Sequence, residues 1–380
     1  MRSREFAIVA GDFVTTGGMD APNFALASHL ARSGGKVHLV GYRTAEELAR
    51  DPNVVFHRVP KPAGAYSLGA PLLGGWGLLQ ATAVAARRGA VVVNGGNCPF
   101  PGVNWVHYVH AAFAPTTAGN TWRRAKGEAS HRVNLMTERV ALRRAKLVVV
   151  NSERTRRDVI DRVGIAEDRV VRIYYGVDAA RFRAASDDDR LTAKRSLGWR
   201  DDVPHVAFVG ALGDRRKGFD VLYEAWRLLC ARPSWDAVMV VVGSGAELSA
   251  WRARATEDGL GERVRFLGFR RDVPRVLMAS DALVAPTRYE AYGAGVHEAL
   301  CCGLPALVSA SAGVAERYPG PLRELLLDDV ESPALVAAKI SRWRERAPEW
   351  REAITPFGER LRARSWDDMA RDLVSVCDSV

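Results

Sequence analysis

Ala-Pro-Thr-Arg-Tyr-Glu-Ala-Tyr-Gly-Ala-Gly-Val-His-Glu, residues 285–298, joins a short apolar run at 282–285 to an apolar helical stretch at 296–304. An uninterrupted apolar run, a glycine-bearing turn and a helix together form one strand-to-helix step of a parallel βαβ chain. The stretch carries two carboxylates, Glu290 and Glu298. On one continuous helix they would lie roughly 12 Å apart along the axis, on different faces. Gly293 and Gly295 instead predict a loop holding Glu290, with Glu298 in the first helical turn. A loop carboxylate can accept hydrogen bonds from sugar hydroxyls, and the free amides of a helix start suit an anion. A second carboxylate can grip a vicinal diol, which would give Glu298 the partner it needs among Val296, Ala299 and Leu300. The competing reading is a pair of exposed acids capping a helix.

Outward from this stretch the same unit recurs. Apolar runs at 6–10, 37–40, 54–59, 90–93, 105–110, 147–150 and 170–175 precede those at 205–209, 237–242, 264–267, 282–285 and 305–309. Strands alternating with helical segments indicate an α/β protein with parallel sheets, and 380 residues suit two such domains. The polar run Ala-Ala-Ser-Asp-Asp-Asp-Arg at 184–190 is read as the linker, giving domains 1–183 and 184–364. A terminal helix at 365–380 is expected to pack back on the first domain. Asp187 and Asp189 spell DxD, but in a linker they suit helix capping better than metal binding. Two Rossmann-like halves direct the carboxyl ends of their strands to a shared cleft, where ligands bind.

Three further strand ends carry chemistry. Residues 208–218 end a buried strand in a glycine-bearing loop with Arg215, Arg216 and Lys217, cations fit to meet phosphates; the P-loop spacing is absent. A solvated basic turn is the alternative. Gly17-Gly18 follows the first strand, where a backbone without Cβ can approach a pyrophosphate, although GxGxxG is missing. His110 closes the run at 105–110, placed near the strand's carboxyl end on the opposite face from His107.

Charge and cysteine usage bound the setting. The net charge is +10, and residues 121–160 hold eleven Arg or Lys against four acids. Such a segment attracts anionic lipid headgroups or a phosphorylated acceptor, or is a solvated face; without an RNA-binding signature, nucleic acid is not expected as a partner. The five scattered cysteines show no CxxC pair, which argues against a zinc site and favours a reducing, cytoplasmic setting. The N-terminus reads as a first strand rather than a signal peptide. Residues 63–86 carry no formal charge, but Pro71, Gln80 and the glycines favour a loop and a buried helix over a membrane span.

Taken together, the chain resembles a retaining glycosyltransferase of family 4, the group 1 type, with the GT-B fold of two Rossmann-like domains facing each other across a cleft. The resemblance rests on Gly17-Gly18, Asn151-Ser152, Tyr175–Asp178, Val209–Gly210 to Lys217–Gly218, Val264–Gly268, the Glu290–Glu298 pair and Cys302–Pro305. It implies that Arg216 and Lys217 neutralise a donor pyrophosphate, that Glu298 holds the nucleotide ribose and that Glu290 lies near the transferred sugar. Gly293, Ala294 and Gly295 match the loop over the sugar and phosphates, with Tyr292 beside them; Gly268, Phe269 and Arg270 fall where the base rests, and His110 beside the reacting centre. The pattern departs at Ala211, where a cation is usual and Arg215 lies nearby, at Ala291-Tyr292 in place of Gly-Phe, and at Thr287 in place of Ser. The expected reaction is metal-independent transfer of a sugar from a nucleotide diphosphate donor to a hydroxyl acceptor, the donor being a co-substrate and no cofactor being needed. A nucleotide-sugar epimerase and a non-catalytic nucleotide-sugar or membrane-binding protein are the rivals. Peripheral contact with an anionic membrane is expected from the basic segment beside the uncharged one.

Overall fold

A computed structural model describes residues 4–115 and 121–380, side chains of 121–124 excepted. The chain forms two compact units, the first comprising residues 1–176 and 364–380, the second residues 177–363.

In the first unit seven strands form one sheet: β1 (Glu5–Val9), β2 (Lys36–Gly41), β3 (Val54–Arg58), β4 (Ala90–Asn94), β5 (Val103–Val106), β6 (Leu147–Val150) and β7 (Val170–Arg172). Their order is β3-β2-β1-β4-β5-β6-β7, and every pairing is parallel. Strands covered on both faces need apolar side chains on both, and Ala7, Ile8, Val9, Val92, Val93, Val148, Val149 and Val150 are all buried. In the second unit β8 (His205–Val209), β9 (Val238–Val242), β10 (Val264–Gly268), β11 (Ala282–Ala285), β12 (Ala306–Ser309) and the short β13 (Leu326–Leu327) are likewise parallel, in the order β10-β9-β8-β11-β12-β13. Each sheet changes direction of strand addition at its middle, the arrangement in which loops at the carboxyl ends splay apart to receive ligands.

Three sequence expectations need correction. The boundary falls at Gly176/Val177, not at 183/184. The polar run at 184–190 is a helix start: Ser186 caps the helix Asp187–Ser196, accepting from the amide of Asp189 at 3.1 Å, and the Asp189 carboxylate is held by Arg183 at 2.7 and 3.0 Å. Polarity there reflects capping, and the second carboxylate of the DxD is consumed by it.

The uncharged segment forms a 3-10 turn and then a 21-residue helix, Tyr66–Ala86, which is not buried as expected. It packs through Gly69, Leu73, Gly77, Ala81 and Val84. A Cβ on Gly69 would stand 2.8 Å from the ring of Tyr42, and one on Gly77 would stand 2.7 Å from Val9, so the helix lies very close to its neighbours. Small residues therefore take the packing stripe, and Leu68, Leu72, Trp76, Leu78 and Leu79 are left exposed. Among the described residues this is the one helix long and apolar enough to cross a membrane, with 28% of its most apolar window buried.

Thirdly, β5 ends at Val106 rather than at residue 110. The amides of His110 and Ala111 donate to the two carboxylate oxygens of buried Glu138, at 2.7 and 3.0 Å, which pulls residues 110–112 into a 3-10 turn. The alternating faces assigned to His107 and His110 therefore do not apply.

The first unit closes with the helix Trp366–Asp378, whose cap, Ser365, forms a capping box with Asp368. Met369, Ala370 and Leu373 are buried, and Asp367 accepts from Arg32 at 2.6 Å. A Cβ on Gly176 would meet the carbonyl oxygen of Ser365 at 2.1 Å, so this approach admits only glycine.

Candidate active site

The carboxyl edge of the second sheet gathers the charged residues. After β8 the chain runs through Gly210–Asp214 into a 3-10 turn, Arg215–Lys217, capped by Asp214, whose carboxylate accepts from the Arg216 amide at 3.0 Å. Gly218 then takes φ +70°, and a Cβ there would lie 1.9 Å from the carbonyl oxygen of Pro286. That approach locks the cationic turn against the loop that follows β11. Within this loop the Arg288 amide donates to the carbonyl of Arg216 at 2.8 Å. Gly293, at φ +107°, reverses the chain and begins the helix Ala294–Cys301.

The outcome is a cluster. Lys217 Nζ donates to Glu290 Oε2 at 2.6 Å, and Arg216 Nη1 lies 3.5 Å from the same oxygen and 3.2 Å from the carbonyl of Tyr289. Burial would raise the Glu290 carboxyl, but the charges of Lys217 and Arg216 outweigh it and hold the pKa below the usual range. Glu290 is therefore ionised at neutral pH. The loop is braced from the other side, where the amides of Gly313 and Val314 donate to the carbonyls of Glu290 and Tyr292.

Glu298 differs. It lies just beyond the first turn of its helix, and among the described residues its carboxylate has no hydrogen-bond or ion-pair partner. Burial raises its pKa to about 7, opposed by the charge of Arg181. A half-buried acid without a partner suits a ligand that brings donors.

Other predicted residues are placed less directly. Arg215 reaches Asp220 at 3.8 Å and is half exposed, so it does not stand in for the cation missing at Ala211. Arg270 is held by Asp272 at 2.8 and 2.6 Å, beside Phe269, whose side chain is 65% exposed at the end of β10. Tyr292 is buried: its hydroxyl meets His297 Nδ1 at 2.5 Å, so its ring supports the loop from beneath, while Ala294 and Gly295 are half-buried at the helix start. In the first unit Gly17, at φ +98°, and Gly18 form an exposed turn before the helix Asp20–Arg32. His110 follows β5 on that unit's carboxyl edge; burial, then nearby His131, lower its pKa to about 4, which leaves the imidazole neutral.

Two features escaped the sequence reading. Gly243-Ser244-Gly245, after β9, lets two strand-end loops lie backbone to backbone: a Cβ on Gly243 would stand 1.9 Å from the carbonyl oxygen of Gly210, and one on Gly245 would stand 1.6 Å from that of Leu212. A second glycine pair at a strand end was the available signal. Glu138 was counted only as one of four acids in a basic stretch; its burial, with a pKa raised to about 7 despite the amides of His110 and Ala111, marks it as the support of the His110 turn.

Comparisons with known proteins identify the family and the fold. Residues 16–181 match the family described as Glycosyltransferase Family 4, and residues 203–345 match Glycosyl transferases group 1. The chain is 30% identical to a D-inositol 3-phosphate glycosyltransferase of Salinispora tropica over 71% of its own length and 58% of the relative's. It is 32% identical to a GDP-mannose-dependent monoacylated alpha-(1-6)-phosphatidylinositol monomannoside mannosyltransferase of Corynebacterium glutamicum over 49% of this chain and 53% of that one. The match thus spans little more than half the length of these relatives. In fold, the crystal structure of Anabaena HepE with UDP and glucose superposes with a TM-score of 0.74 at 18% identity, covering 100% of both chains. With both halves matched to it, the chain belongs to glycosyltransferase family 4, the group 1 glycosyltransferases, and has the GT-B fold.

Proposed function

We propose that this chain transfers a sugar from a nucleotide diphosphate donor to a hydroxyl acceptor, with retention at the anomeric carbon and without a metal ion. One observation carries the reading: Arg216 and Lys217 converge on the half-buried carboxylate of Glu290 beside the Gly293 turn. A pyrophosphate set against that pair would draw charge-assisted hydrogen bonds from both cations. As the sugar–phosphate bond breaks, negative charge grows on the leaving oxygen, and the fixed cations stabilise it without reorganising. Amides at a helix start each add only about 0.3–1 kcal/mol, so the side chains dominate. Glu290 holds both cations in place and offers its remaining oxygen to sugar hydroxyls. Glu298 accepts from the ribose diol. The acceptor hydroxyl passes its proton to the departing phosphate oxygen on the same face, which yields retention without the second close carboxylate that a double displacement requires. The names of relatives support a nucleotide diphosphate donor: one is GDP-mannose-dependent, and HepE was solved with UDP.

The exposed stripe on Tyr66–Ala86 and the cations of the Thr121–Arg144 helix support a second part of the reading, a seat on an anionic membrane surface in the cytoplasm. Leu68, Leu72, Trp76 and Leu79 recur at helical spacing and are solvent-facing. Val133, Met136 and Val140 are exposed on the basic helix, alongside Arg132 and Arg139. Apolar side chains beside cations suit a helix lying in the headgroup region.

The test is a panel of sugar nucleotides read by thermal shift and then by product analysis after thorough chelation. Stabilisation by one donor, and transfer that persists in chelator with the anomeric configuration kept, is the expected result. Transfer restored only by Mg²⁺ or Mn²⁺ would refute the metal-free mechanism. A changed sugar nucleotide formed without acceptor would favour an epimerase, and binding without turnover a non-catalytic protein.

A further inference from the structure

The carboxyl edge of the first sheet holds a pocket of about 480 Å³ lined by Tyr42, Arg43, Arg58, Val59, Pro60 and Lys61. These residues follow β2 and end or follow β3, so the pocket opens on the same edge as the Gly17 turn and His110. Its three cations are not equivalent. Arg43 donates to Asp12 at 2.6 Å, and Tyr66 donates to the same Asp12 oxygen at 3.0 Å, so that carboxylate is engaged. Arg58 has no hydrogen bond or ion pair among the described residues and is exposed. Lys61 has no carboxylate partner either; its ammonium lies 3.8 Å from the ring centroid of Tyr66 and 5.4 Å from that of Tyr42. Two aromatic faces hold an ammonium in position without neutralising it. The pocket therefore presents two uncompensated cations, of which Lys61 is held in position, and a third already balanced.

We propose that this pocket binds the phosphate group of the acceptor, so that the substrate class is a phosphate-bearing alcohol. The proposal rests on the glycosyl-transfer reading for the word acceptor, though not for the anion site itself. A phosphate monoester brings about two negative charges. It would take paired N–H donors from Arg58, a geometry guanidinium is suited to, and one from Lys61. Tyr66 also opens the helix with the exposed apolar stripe, so the same pocket could serve a phosphate carried by a soluble alcohol or one carried by a lipid.

The experiment uses the full chain and three variants, Arg58→Gln, Lys61→Gln and the double. Glycerol 3-phosphate is titrated at low ionic strength, with glycerol as the neutral control, and in parallel the proteins are sedimented with phosphatidylcholine vesicles with or without phosphatidic acid. Glycerol 3-phosphate should bind saturably and glycerol should not, and each variant should lose about tenfold in affinity, as expected for one charge-assisted bond. Weakening in the soluble arm alone points to a soluble acceptor and in both arms to a lipid-borne one; either result upholds the pocket. The double variant binding glycerol 3-phosphate as tightly as the parent overturns it, as does a parent protein that responds in neither arm. Unchanged melting temperatures and unchanged UDP binding show that the variants fold and that the second unit is untouched. If no sugar nucleotide binds while glycerol 3-phosphate still does, the transferase reading fails and the anion site stands.

Discussion

The two sheets present their carboxyl edges in opposite electrostatic states. In the second unit Arg216 and Lys217 are compensated in advance by Glu290, while Glu298 is left without a partner. In the first unit Arg58 and Lys61 lack a counter-charge among the described residues, and the carboxylate Asp12 is taken by Arg43 and Tyr66. A compensated pair is suited to holding a fixed geometry while charge develops on a leaving group. An uncompensated pair is suited to capturing charge that is already present. On the proposed function, the charge that develops would belong to the second unit and the resident charge to the first.

The strongest way to break this comparison is Lys217→Ala. Removing one preorganised donor to a developing oxyanion should slow transfer about 100- to 1000-fold. Steady-state rates with saturating donor check this; a change of less than a few-fold would separate Glu290 and its cations from the chemistry. Next in size is Gly218→Ala, which places a Cβ at positive φ against the Pro286 carbonyl. A loss of about 1–3 kcal/mol in denaturant unfolding is expected, together with weaker donor binding because the cationic turn shifts.

The partnerless carboxylate gives a pH signature. Burial raises Glu298 to about 7. An acid raised on folding takes up a proton as the chain folds, so its contribution to stability falls as pH rises from the ordinary carboxylate range through 7. Ribose hydroxyls donating to the ionised form lower that pKa again. Donor affinity should therefore be flat above about pH 7 and weaken below it by up to tenfold per unit, and Glu298→Gln should flatten the profile. Titration calorimetry across this range decides; an unchanged slope in the variant would remove Glu298 from the site.

The smallest expected effect concerns the exposed stripe. Leu68→Ser with Leu79→Ser should alter folding stability by no more than about 0.5 kcal/mol, because both side chains are mostly in solvent. Sedimentation with anionic vesicles should nonetheless drop. A large loss of stability would show that the stripe is covered by protein.

Most of the strands were legible because doubly buried parallel strands are written as unbroken apolar runs, which a single chain displays without any tertiary information. What was not legible depended on long-range partners. The end of β5 is set by Glu138, 28 residues from His110, whose carboxylate takes amides that alternation would have given to the ladder. The helix at 66–86 looked buried because Pro71, Gln80 and the glycines argued against a membrane span, yet close packing put Gly69 and Gly77 inward with Leu73, and that turned Leu68, Leu72, Leu78 and Leu79 out. The Glu290 cluster was approachable from the strand-end rule, since both loops follow neighbouring strands. The pocket at 42–61 was not, because Arg43, Arg58 and Lys61 are unremarkable cations until β2 and β3 lie side by side.

Gly176 and Ser365 approach through their backbones although 189 positions separate them, and all but Arg364 of what lies between is the other unit. During vectorial synthesis the inserted body is therefore complete before its host can be. The host waits for the thirteen-residue helix Trp366–Asp378, and a chain interrupted after residue 363 would leave the second unit finished and the first still lacking the helix that packs on it.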